Sequence, residues 1–220
     1  MKVAFICHYF HPEIGAPAAR IYEMAREWTK NGHQVKVITC FPNHPTGIIP
    51  QEYRGRFFLK ENIEDIEVYR NYVFATPNKG FVKKIIGHLS FMLSSVFLSL
   101  PRLGKIDVLV VSSPTLFSVI SAFIFSIFKR VPFVFEVRDL WPAIFVELGV
   151  LTNRFIIEAL EHLEMFLYAR SKKIVVVTKA FKDNLIKRGV ATDKISVITN
   201  GADTQLFYPG RDGDDLRTEL

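Results

Sequence analysis

Arg138 and Asp139 stand side by side directly after the apolar run 132–137, with Trp141 close behind them. A guanidinium and a carboxylate at the mouth of a buried strand, next to an indole that can form an apolar wall, suit a charged or polyhydroxyl substrate. The same two charges could instead pair and hold the loop. Glu136 precedes them within the run.

A second group is His11-Pro12-Glu13-Ile14-Gly15-Ala16-Pro17-Ala18-Ala19-Arg20, which follows the first apolar run. Its single glycine does not make G-x-G-x-x-G, so dinucleotide binding of the nicotinamide kind is disfavoured. One glycine before a helix start lets a backbone approach a phosphate, and a plain tight turn fits the same spacing. Arg20, one turn into the helix, faces either the ligand or solvent. Ser112-Ser113-Pro114-Thr115, after the run 106–112, supplies hydroxyls for a helix N-cap and, as an additional role, a sugar-hydroxyl contact. His8, His11, His33, His44, His88 and His162 form no H-x-x-x-H or H-E-x-x-H pattern, which gives a metal site little support. G-x-S-x-G and the P-loop pattern are absent as well.

The elements that must position these residues follow from hydrophobic period. Residues 3–7 read as a buried strand, 16–30 as a helix with Ile21, Met24, Ala25 and Trp28 on one face, and 35–40 as a second strand. Asn31-Gly32-His33 closes the helix. The segment 41–55 carries three prolines and two glycines, so it reads as a long functional loop, followed by a hairpin over 57–71. Strands at 106–112, 132–137, 173–177 and 195–199 alternate with helices at 116–128, 153–170 and 180–188. The expected class is α/β, a Rossmann-like doubly wound parallel sheet. Ligands in such sheets sit beyond the carboxyl ends of the strands, where both groups above fall. Glu158, Glu161 and Glu164 recur at helical spacing and read as a solvated helix face.

With 220 residues and 49% hydrophobic content, the chain can bury one large core. Its net charge of +6 is spread over pairs such as Lys83-Lys84 that flank apolar segments. That suits an anionic membrane surface or a phosphorylated substrate, and argues against nucleic acid. Cys7 and Cys40 lack paired spacing and read as buried free thiols. The apolar run 85–103 is interrupted by His88, four serines and Pro101, which disfavours a spanning helix. A helix covering the sheet, an interfacial helix bracketed by Lys83, Lys84, Arg102 and Lys105, or one helix doing both, fits it.

Four stretches in order, His11-Pro12-Glu13-x-Gly15-Ala16-x-x-x-Arg20, Val137-Arg138-Asp139-Leu140-Trp141-Pro142, Val176-Val177-Thr178-Lys179-Ala180 and Ile198-x-Asn200-Gly201-x-Asp203-x-x-x-Phe207-x-Pro209, resemble one family. It is the N-terminal, acceptor-side domain of the retaining family-4 glycosyltransferases, the N-terminal lobe of a GT-B fold. Within that family the likeness is to bacterial O-antigen and capsule enzymes that transfer N-acetyl-fucosamine-type sugars to lipid-linked acceptors.

The resemblance implies sugar transfer from a nucleotide-sugar donor to a polyprenyl-diphosphate-linked saccharide, with retained configuration and no metal or other cofactor. The nucleotide-sugar is then a substrate. It casts Asp139 and Arg138 as the catalytic-site groups, although many relatives carry His where this chain has Arg138. Gly15 and Ala16 match the loop that approaches the donor diphosphate, and His11, Glu13, Arg20, Ser113, Thr115 and Trp141 fall on the acceptor side. Asn200, Gly201 and Asp203 match the hinge, and Lys83, Lys84, Arg102 and Lys105 become contacts with the inner face of the cytoplasmic membrane, at which a cytoplasmic, peripherally bound enzyme would work. The Glu-x7-Glu donor domain of such enzymes is not in this sequence. Residues 1–209 are therefore expected to form the acceptor-side domain and 210–220 an interdomain linker entering a donor-binding domain, so that these residues alone are inactive. The alternative is a membrane-peripheral module that binds a saccharide-lipid without catalysis.

Overall fold

A computed structural model describes residues 1–77, 80–113 and 115–201. The expected connector beyond Gly201, including Asp203, and the expected linker 210–220 lie outside the described residues.

Strand β1 (Lys2–Ile6) runs into helix α1 (Ala16–Lys30) and strand β2 (Gln34–Cys40). The helix ends at Gly32, whose positive φ of 78° turns the chain while the N–H groups of Gly32 and His33 bond the carbonyls of Thr29 and Trp28. That is a Schellman closure, and it places β2 beside β1. Strands β3 (Phe58–Ile63) and β4 (Ile66–Asn71) form the expected hairpin, its turn using left-handed Glu64 and Asp65. The loop from β2 to β3 is pinned at Gly47, where a Cβ would lie 1.8 Å from the Thr76 carbonyl oxygen.

Helix α2 (Phe81–Ser94) continues through a π-helical turn, Ser95–Ser99, and a short 3-10 turn into strand β5 (Val108–Ser112). Then come α3 (Leu116–Lys129), β6 (Phe133–Val137), the short α4 (Ala143–Glu147), α5 (Arg154–Arg170), β7 (Lys173–Val176), α6 (Lys179–Lys187) and β8 (Ile195–Val197). Side-chain oxygens of Thr115, Asn153 and Thr178 cap α3, α5 and α6.

The strands lie in the order β3-β4-β2-β1-β5-β6-β7-β8, all parallel except the edge strand β3. From β1 the chain builds outward to β2 and β4, then returns across to β5 on the other side of β1. The strand order therefore reverses between β1 and β5, where a parallel sheet opens a crevice at its carboxyl edge. Phe5, Cys7 and Phe10 pack with Ile21 and Ala25 of α1, whereas Ala4, Ile6 and Val111 join Phe91, Val119 and Phe125 of α2 and α3. Both sheet faces are thus buried, which accounts for the near-continuous apolar strands.

One expectation fails on α5. Glu158 and Glu161 are exposed, but Glu164 is 1% exposed, accepting from Tyr168 Oη at 2.7 Å and pairing with Arg188, the C-cap of α6. Burial raises its carboxyl pKa, and the two partners oppose that shift. Helical spacing shows that the three share a face; which end of that face lies under α6 depends on packing.

Candidate functional site

At the switch point the residues after β1 carry rings. His8 is buried, and its Nδ1 lies 3.3 Å from Nδ1 of His88, which comes from α2. Phe91 and Tyr9 make edge contacts with His8, and Tyr9 touches His44 in the same way. Burial holds His8 well below its usual pKa, helped by His88 and His44, and burial with nearby Lys84 takes His88 down to about 4. Two uncharged imidazoles can share one proton across this contact.

Glu13 draws the next two loops together. Its carboxylate accepts backbone N–H groups from Phe10 (3.1 Å), Asn43 (2.8 Å) and His44 (2.8 Å). The loop after β1 and the proline-rich loop after β2 therefore form one rim, with Gly15 close to the His44 ring. Burial raises the Glu13 pKa, while the three N–H bonds oppose it. Exposed His11 stacks on Tyr22, and its carbonyl accepts from Arg70 Nη2 at 2.6 Å.

Gly15 is the N-cap of α1, a helix with no side-chain cap and no acidic residue in its first turn. Its backbone is extended, and an added Cβ would meet only ordinary contacts, Pro17 at 3.8 Å and His44 at 4.0 Å. Nothing in the fold requires glycine here. Among the described residues no side chain caps the α1 N-terminus, which starts at exposed Ala16 and carries the positive end of the helix dipole.

After β5 and β6 the two loops are joined by one hydroxyl. Buried Ser113 Oγ accepts the N–H groups of Arg138 (2.7 Å) and Asp139 (3.2 Å). Thr115 is occupied as the cap of α3, bonding Ser118. Arg138 and Asp139 are both half-buried, and no ion pair links them among the described residues. The ion pair that does form is Arg20 with Glu136, through Nε at 2.9 Å and Nη2 at 2.7 Å on one carboxylate oxygen. Arg20 thus faces the sheet and not solvent. Desolvation lowers the Arg138 pKa, with Glu136 and Asp139 opposing and Arg20 adding to the shift. Trp141 is half-buried, edge-on to Phe145 at 4.4 Å.

The structure therefore brings Arg20, Ser113, Arg138 and Asp139 to one stretch of the carboxyl edge, and His11, Glu13, Gly15 and Ala16 to the adjoining rim. Asn200 and Gly201 are exposed beyond β8. Sequence reading did not select Glu136, His8 or His88. An acid inside an apolar strand was the available signal for Glu136; the histidines had none, since 80 residues separate them. Among the described residues no three His, Cys, Asp or Glu side chains converge as a metal site would need.

Helix α2 has its polarity inverted. Its serines face the protein: Ser90 Oγ accepts from Phe74 N, Ser94 Oγ donates to the Tyr72 carbonyl, Ser95 bonds Ser121, and Ser99 donates to Asn71 Oδ1. Val82, Ile86, Leu89, Leu93 and Phe97 lie outside, with Val82 68% and Phe97 70% exposed. The run Val82–Arg102 is long and apolar enough to cross a membrane, with mean hydropathy 1.3. Lys83, Lys84 and Lys105 are exposed beside the stripe, while Arg102 bonds the Leu98 carbonyl and covers the Phe58 ring.

The chain shares its fold with several solved structures. The catalytic domain of starch synthase IV from Arabidopsis thaliana, bound to ADP and acarbose, superposes with a TM-score of 0.60 at 13% identity over 96% of this chain and 53% of that one. Sucrose-phosphate synthase from Thermosynechococcus elongatus gives 0.60 at 12% identity, covering 100% and 52%. Anabaena HepE in complex with UDP-glucose gives 0.60 at 14%, covering 100% and 50%. The chain spans about half the length of these structures. No curated protein matches it by sequence. The eight-stranded sheet is that of a GT-B glycosyltransferase lobe. A model of the glycosyl transferase 4-like domain matches residues 15–201, the span that holds the Gly15 turn, the Arg138-Asp139 loop and β8, and the chain belongs to that family.

Proposed function

We propose that the chain is the acceptor-binding lobe of a retaining glycosyltransferase that moves a sugar from a nucleotide-sugar to a polyprenyl-diphosphate-linked saccharide in surface polysaccharide synthesis. It works peripherally at the inner face of the cytoplasmic membrane. Family membership supports transfer, and the neighbours solved with ADP and acarbose or with UDP-glucose support a nucleotide-sugar donor. The uncapped N-terminus of α1 suits the donor diphosphate, with Gly15 leaving room for it. Arg138 and Asp139 border the reacting groups, where a poorly solvated guanidinium interacts strongly with developing charge.

The observation that carries the lipid-linked acceptor is the inverted polarity of α2. A helix that spends its serines on the protein and presents a row of apolar side chains outward, flanked by lysines, fits an anionic bilayer surface. Asn71, bonded by Ser99, is the last residue of β4, at the carboxyl edge, so the helix runs beside the site that the acceptor must reach.

Vesicle co-sedimentation tests this. The chain is expected to pellet with phosphatidylglycerol vesicles, weakly with phosphatidylcholine, and more strongly when polyprenyl diphosphate is included. Leu89→Glu with Leu93→Glu should abolish pelleting at unchanged thermal stability, since both side chains are exposed. Equal recovery in the supernatant with every vesicle would overturn the lipid-linked acceptor.

A further inference from the structure

The Arg20–Glu136–Arg138 cluster has two unused ends. The Glu136 side chain is 3% exposed, and its Oε1 takes both bonds from Arg20. Among the described residues its Oε2 is buried without a partner, and so is Nη1 of Arg138. A buried polar atom without a hydrogen-bond partner is costly for a fold to keep. Anchoring α1 to the sheet accounts for Oε1 alone and for neither orphan.

The two orphans are complementary, one acceptor and one donor, at the carboxyl edge beside Ser113. A hydroxyl group is the one simple ligand group that offers both a donor for Oε2 and an acceptor for Nη1. A phosphate would satisfy Nη1 but set its own oxygens against Oε2. The charges agree with this choice, since Arg20 and Arg138 are balanced by Glu136 and Asp139 and leave no excess to draw an anion.

We infer that Glu136 Oε2 and Arg138 Nη1 form a recognition site for one ring hydroxyl of a bound saccharide. Arg20, bonded twice to Oε1, is the counter-charge that holds the Glu136 carboxylate in place. The inference rests on the saccharide-acceptor reading above and adds the group that is recognised and the residue, Glu136, that recognises it.

The test is saturation-transfer NMR on the chain with methyl glycosides of glucose, galactose and N-acetylglucosamine, each with its monodeoxy analogues, and with inorganic phosphate. At least one glycoside is expected to bind, and removal of one particular hydroxyl should weaken it by about tenfold or more, as loss of a charge-assisted hydrogen bond does. Glu136→Gln keeps an oxygen for Arg20 but presents an amide N–H where the acceptor was. It should bind the parent and that deoxy analogue alike. The deoxy series on the unaltered chain still decides the matter if the variant does not fold. Equal binding of all analogues, or the same hydroxyl preference in the variant, removes this site while leaving the acceptor-lobe reading in place. Phosphate displacing the glycoside from the unaltered chain would make it an anion site and overturn the inference. If no glycoside binds, the inference falls, and vesicle binding then shows whether the lobe reading falls with it.

Discussion

Gly15 distinguishes a turn from a ligand site more cleanly than any other residue. Its backbone is extended and its surroundings admit a methyl group, so a tight turn alone would tolerate alanine. Gly15→Ala is expected to change unfolding free energy by less than about 1 kcal/mol. If the donor diphosphate lies against this backbone, the same change raises the nucleotide-sugar KM in a transfer assay, because the Cβ occupies the space of approach. Unchanged KM would return the turn to a purely local role. Gly47 is the contrast: its left-handed φ and the Thr76 carbonyl both exclude a side chain, so its reason is structural. Glu164 shows the same limit from the other side, since its charge pattern suggested solvent and its neighbours made it buried.

Single side chains tie elements together across the carboxyl edge. Ser113, after β5, holds the two N–H groups that open the loop after β6, and with them the direction taken by Arg138 and Asp139. Ser113→Ala leaves both N–H groups buried without that acceptor and should cost about 1–3 kcal/mol, read as a lower denaturant midpoint at unchanged m-value. An unshifted midpoint would mean that another acceptor serves them. Helix α2 follows a related logic. Four serine hydroxyls of α2 and the π-helical turn after it bond the protein beside buried Phe91, while Val82, Ile86, Leu89, Leu93 and Phe97 face outward.

For the molecule as a whole, the two ring-paired histidines set a pH dependence. His8 and His88 are held below their ordinary value of 6.5, His88 at about 4. The folded chain keeps them neutral, while the unfolded chain protonates them as pH falls through about 6.5. Their contribution is therefore complete above that value and is lost as pH falls toward 4, at about 1.4 kcal/mol per pH unit for each histidine. Glu13 and Glu164, raised by burial, act with the opposite sign: they favour the fold when protonated, and that contribution is lost as pH rises through their raised values. Thermal unfolding of the chain and of His88→Gln from about pH 7 to about pH 4.5 separates these contributions. The variant should show the shallower loss on acidification, and parallel curves would remove the histidine pair as the cause.

Local pattern determined most of the elements. The helix expected at 16–30 is α1 with the same bounds, and the strand-helix alternation yields the doubly wound sheet. Hydrophobic period, glycine and proline act within a few residues of chain, so their message survives folding unchanged. Which side chains meet is set by strand order and by the face each helix buries. Arg20 finds Glu136 across 116 residues because α1 follows β1 while β5 and then β6 are laid down on the other side of it. His88 meets His8 only because α2 returns the chain over β1. The sequence placed Arg138 and Asp139 at the mouth of the sheet; tertiary structure decided that Arg20, and not Arg138, pairs with Glu136. No local period carries the spatial order of distant strands, and the unspent groups of the site are known only after every nearer partner has been assigned.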